Sequence, residues 1–162
     1  VGEREPIWLS RARQDVGVGE TPGKATTPTI RRWLIELGAW WQDDETPWCG
    51  VACATWMRDC GIEVPKHYYR ARAWMDWGKP ARQTLGAVVV FERGGAGHVG
   101  LLVGADVLNR LMVLGGNQGN RVSIAPFDAS RVLAYRWPAG HATVFTALPR
   151  YSSLERSSTA EV

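Results

Sequence analysis

The apolar residues of this chain change period once. In the first half they recur at helical spacing. From about residue 87 onward they come in short unbroken runs bounded by Gly, Asn, Asp or Pro. Residues 6–16 predict a first helix, with Ile7, Leu9 and Val16 as core positions. The turn-rich string Gly17-Val18-Gly19-Glu20-Thr21-Pro22-Gly23 follows it. Thr27 is suited to cap a second helix that has Pro28 at its first position and Ile30, Trp33, Leu34 and Leu37 on one face. Gly38 ends that helix. A third helix is predicted to start at Trp48 or Cys49 and to reach Cys60, with Val51, Ala52, Thr55 and Trp56 as its apolar face and Gly61 as its stop. A short helix over residues 69–77 is then stopped by Gly78 and Pro80.

The second half predicts strands at residues 87–91, 98–103, 111–114, 121–124 and 132–135. Gly119-Asn120 is a hairpin turn signal between the third and fourth of these. Helices followed by closely spaced strands predict an α+β fold, with N-terminal helices packed on an antiparallel sheet of about five strands. With 162 residues, the prior is a single domain. Residues 1–149 are expected to form it, and the Ser-, Arg- and Glu-rich residues 150–162 a flexible tail.

Composition sharpens this picture in three places. Nine tryptophans are more than an ordinary core requires, so some are candidates to line a groove for sugar rings or peptide. A net charge of +3 suits an anionic polymer as partner, although no Lys/Arg cluster reaches the density of a nucleic-acid tail. Three cysteines cannot all pair, and no apolar run is long enough to cross a membrane. No charged-then-apolar signal opens the sequence.

The chemistry is concentrated at Cys49, His98 and Asn117. Cys49 stands where the third helix should begin, and backbone N–H groups at a helix N-terminus favour a thiolate. His98, in Gly97-His98-Val99-Gly100, is the best placed of the three histidines to act as base; His67 and His141 lie in polar loops. Asn117, in Gly115-Gly116-Asn117-Gln118, is able to hold an imidazole in one tautomer through its side-chain carbonyl. Each residue also has an ordinary structural use, as a packed thiol, a strand histidine and a turn former. The order Cys, His, Asn on a helix start and two strand segments favours a thiol hydrolase. A Cys49, Cys53, Cys60, His67 zinc set is disfavoured, because Cys49 and Cys60 would lie roughly 16 Å apart along one helix. The oxyanion hole is expected from the Cys49 backbone N–H and a nearby polar donor.

These residues, with Thr46-Pro47-Trp48-Cys49, Trp56, and the closing string Val132-Leu133-Ala134-Tyr135-Arg136-Trp137-Pro138, resemble the CHAP and NlpC/P60-like peptidoglycan hydrolases, in particular an endolysin-like branch. The resemblance covers roughly residues 6 to 138. It implies a papain-like fold and cleavage of an amide bond in bacterial cell wall, with Cys49 as nucleophile, His98 as base and Asn117 as orienting residue. Trp48, Asp44, Glu45, Trp74 and Gln118 are the expected substrate-binding residues. No metal is expected, because Asp43-Asp44-Glu45 lacks the alternating spacing of a calcium loop, and no other cofactor is implied. Peptidoglycan is the expected partner of a monomer acting in the periplasm or cell wall, with no nucleic acid and no membrane span. Two alternatives carry different partners: a secreted antibacterial effector, which would have an immunity protein, and a non-catalytic wall-binding module.

Overall fold

The structure is a computed structural model that describes residues 5–19, 28–40, 48–93 and 96–152. Three helices come first: α1 (Ile7–Arg13), α2 (Pro28–Leu37) and α3 (Cys49–Arg58). In α2 the predicted face is the buried one, with Ile30, Trp33 and Leu34 inside, and Gly38 leaves the helix at φ 79°. Thr27, its expected cap, lies outside the described residues. In α1 the buried residues are Trp8, Leu9 and Ala12, whereas Ile7 and Val16 are exposed, contrary to expectation. The Trp8 indole decides the rotation of this helix. It donates to the Gly86 carbonyl at 2.8 Å and meets the Trp137 ring edge-on at 5.0 Å, so Ile7 turns outward.

Every residue of α3 from Cys49 to Met57 is buried. The helix packs against α1 and α2 on one side and the sheet on the other, which explains why it carries no polar stripe. Gly50 has no Cβ because the Tyr68 carbonyl occupies that space. Gly61 ends the segment at φ 74°. The short helix predicted next is a 3-10 turn at Ala71–Asp76.

The strands are β1 (Lys79–Pro80), β2 (Val88–Arg93), β3 (Ala96–Asp106), β4 (Leu111–Gly115), β5 (Ser123–Phe127), β6 (Val132–Trp137) and β7 (Arg150–Tyr151). Their order is β1-β6-β2-β3-β4-β5, with antiparallel neighbours throughout, and β7 adds to β3 in parallel. The molecule is thus a mixed helix-and-sheet fold on an antiparallel sheet. The last strand corrects the expected tail: Arg150 and Tyr151 are paired with Ala105 and Asp106, so the ordered sheet extends beyond residue 149. Gly119 and Asn120 form the predicted turn, both with positive φ, and Gln118 N–H donates to the Arg121 carbonyl across it.

Both faces of the sheet are apolar, which is why its strands read as unbroken runs. Val88, Val90, Val99, Leu101 and Leu114 face the helices. Val89, Phe91, Leu102, Val113 and Phe127 form a second cluster. The connection from β5 to β6 dictates the shape. In a flat sheet these strands would lie four spacings apart, about 19 Å. Only four residues, including the 3-10 turn Ala129–Arg131, separate Phe127 from Val132. The sheet therefore curls, and the second cluster fills its concave side. No helix among the described residues is long and apolar enough to cross a membrane.

Gly50→Ala is expected to destabilise the protein by about 1–3 kcal/mol through overpacking against the Tyr68 carbonyl. A urea midpoint equal to that of the wild-type protein would show that α3 does not depend on this close approach.

Candidate active site

The centre forms where two strands part. Leu102 exchanges hydrogen bonds with Gly86 and Ala87 on the β2 side, so the alternation of β3 directs the N–H groups of Val99 and Leu101 toward β4. The β3–β4 ladder begins only at Leu101 opposite Leu114, which leaves the Val99 N–H without a strand partner. The N–H groups of Val99, Gly50 and Cys49 lie near the Cys49 sulfur and favour its anion. Ala52 N–H bonds to the Trp48 carbonyl, which makes Cys49 the first residue of the helix, as the sequence predicts.

His98 lies on the concave face, stacked on the Phe127 ring at 5.2 Å and 11°. Its partner is Gln118, not Asn117: His98 Nε2 and Gln118 Oε1 are 2.9 Å apart. Gln118, expected to face substrate, is instead buried and orients the imidazole. Its Nε2 donates to the carbonyls of Val113 at 3.2 Å and Ser123 at 2.9 Å, which fixes the amide with its oxygen toward the imidazole. An amide oxygen only accepts, so His98 Nε2 must carry the proton. Nδ1 is then the bare ring nitrogen, and it has no hydrogen-bond partner. Gly115 makes room for the pair, because a Cβ there would come within 2.5 Å of Gln118 Oε1 and 3.3 Å of His98 Nε2. Ser123 closes the network by donating its hydroxyl to the Gln118 carbonyl at 3.2 Å. The one sequence signal for Gln118 was the Gly115-Gly116 pair, which gives a longer side chain space to cross; Ser123 carried no signal.

The other expected residues fall in different places. Asn117 is buried at φ 61° and has no bond to His98; its Nδ2 is unpartnered. Trp48 and Trp74 are core residues, not groove walls. Trp48 packs against Trp33, and Trp74 donates to the Tyr68 carbonyl. Asp44 and Glu45 lie outside the described residues. All three cysteines are free thiols. Among the described residues no cluster of His, Cys, Asp or Glu is suited to a metal ion.

Burial dominates the electrostatics. It pushes the Cys49 thiol up, against the Val99 N–H, the Arg93 charge and the N–H groups of the first turn. It also pulls His98 down to about 4, aided by the charges of Arg93 and Arg131 and opposed by the Gln118 bond. The free protein therefore holds a neutral thiol near the N–H of the residue after His98, and a neutral imidazole whose Nδ1 is bare. Cys49 is only 3% exposed. Three cavities of about 350, 300 and 300 Å³ are lined by other residues, the largest beside Glu63 and Trp77 past the far end of α3.

The chain matches no family model and no curated protein sequence.

Two pH measurements follow from this electrostatic state. Carboxamidomethylation of Cys49, followed by peptide mapping, should accelerate close to tenfold per pH unit from about pH 7 to pH 9, because the thiol titrates above the ordinary range. A plateau below pH 8 would indicate a preformed thiolate–imidazolium pair instead. His98 also links stability to pH. Between about 6.5 and 4 the unfolded chain protonates this residue and the folded chain does not, so stability falls with acidification across that window. The loss is on the order of 3 kcal/mol. His98→Phe should flatten the fall relative to wild type in parallel urea titrations at pH 7 and pH 4, and equal slopes would show that this imidazole is not responsible.

Proposed function

We propose that this protein is a papain-like cysteine hydrolase that cleaves an amide bond of bacterial peptidoglycan. The observation that carries the reading is the His98–Gln118 pair. It sets the imidazole in the tautomer with a bare Nδ1, on the strand residue next to the one whose N–H lies near the Cys49 sulfur. An imidazole held in this way is suited to accept the thiol proton. Attack by the Cys49 sulfur on the scissile carbonyl forms a C–S bond. The tetrahedral intermediate collapses with cleavage of the C–N bond, and His98 Nδ1–H protonates the departing amine. His98 then takes a proton from water as the water attacks the thioester, and the thiol is regenerated.

Peptidoglycan as substrate is supported by the sequence resemblance and by the net positive charge, which favours an anionic polymer. The same chemistry fits a phage-type lysin or a secreted effector with an immunity protein. The deep burial of Cys49 and its raised pKa favour a second reading, a wall-binding module without turnover.

Purified sacculi separate the two. Under the hydrolase reading, wild-type protein releases muropeptides. Cys49→Ala abolishes release without lowering the melting temperature, and His98→Ala reduces it at least about 100-fold. Mass spectrometry of the fragments identifies the bond cut. Sedimentation of wild-type protein with sacculi and no released fragment would establish the binding module in its place.

A further inference from the structure

Asn117 is held in two unfavourable states at once. Its backbone is left-handed, at φ 61°, and its side-chain Nδ2 is buried with no hydrogen-bond partner. The hairpin does not require this residue, because Gly119 and Asn120 make the turn and the Gln118–Arg121 bond closes it. Glycine would satisfy the left-handed backbone without burying an amide. A buried donor left unpaired in a native site calls for a functional explanation.

Its position supplies one. On one side, Gly116 lies against the ring of Trp48, the residue before Cys49, and against Ala52 in the first turn of α3; a Cβ on Gly116 would come within 2.8 Å of both. On the other side, Gln118 holds His98. Asn117 is therefore the residue that links Gly116, packed at the start of α3, to Gln118, which holds His98. The Cys49 N–H, at the first position of α3, is not used within the helix. A thiol hydrolase needs two donors aimed at the oxygen that gains charge.

Resting on the hydrolase reading above, we propose that Asn117 is the side-chain oxyanion donor of the site, acting with the Cys49 backbone N–H. As the Cys49 sulfur bonds to the carbonyl carbon, the carbonyl π pair moves onto oxygen. Asn117 Nδ2–H donates to that oxyanion. Collapse restores the C=O bond and expels the amine, which takes its proton from His98. The orphaned donor of the free protein is thereby satisfied only as the reaction proceeds, which is the condition for lowering the barrier rather than tightening ground-state binding.

Asn117→Gly is the test, since it keeps the left-handed backbone and removes only the amide. The expected result is a melting temperature equal to or above that of wild type, a fall in kcat for muropeptide release of about 100-fold or more, and little change in KM. The rate of Cys49 carboxamidomethylation should stay within about twofold of wild type, because displacement of iodide passes through no oxyanion. Asn117→Asp, which preserves shape and removes the donor, should lose kcat in the same way. A kcat within about threefold of wild type in Asn117→Gly would overturn the proposal and leave Asn117 as a turn former. So would a parallel loss of alkylation and hydrolysis, which would mean that Asn117 acts by positioning Cys49 or His98. Wild-type protein that shows no Cys49-dependent release would instead overturn the hydrolase reading itself, and the oxyanion role with it.

Discussion

The arrangement of this molecule depends on how closely α3 seats against the sheet and the chain around it. The β3–β4 ladder stops at Leu101 and Leu114, so the Val99 N–H lies beyond it. The Cys49 sulfur, in the first turn of α3, lies near that N–H. The thiol is thereby brought close to the strand residue that follows His98. The glycines serve the same junction. Gly50 admits the Tyr68 carbonyl, Gly115 admits the His98–Gln118 pair, and Gly116 admits Trp48 and Ala52.

Curling of the sheet supplies the second half of the centre. Because β5 and β6 are joined by a short link, Phe127 is brought under β3 and stacks on His98. The imidazole is thus removed from water and stays neutral, while the fixed Gln118 amide selects its tautomer. The thiol is kept protonated by the same burial. The free protein is thus electrically quiet at its centre.

Much of the fold was legible along the chain. The 3.6-residue period marks the buried face of α2, the runs of Val, Leu and Ile mark β2, β3, β4 and β6, and Gly38, Gly61 and Gly119 mark stops and turns; the strand expected at 121–124 is displaced to Ser123–Phe127. The departures from the sequence pattern have separate causes. In α1 a hydrogen bond and a ring contact of Trp8 outweigh the burial of Ile7 and Val16. Strand β7 left no trace, since two residues in parallel pairing have no period of their own. Trp48 and Trp74 were assigned to a groove on residue type, whereas packing encloses both rings.

The candidate site divides along the same line. The sequence by itself determined that a thiol opens a helix and that a histidine begins a strand, because capping positions and apolar runs are local properties. Only the tertiary structure decided which amide meets the histidine. Asn117 and Gln118 are adjacent and chemically alike, and one residue of register separates an imidazole-orienting amide from an orphaned donor. That register depends on the left-handed backbone at Asn117, on the empty space at Gly115 and on the carbonyls of Val113 and Ser123, which converge only after β4 and β5 have paired.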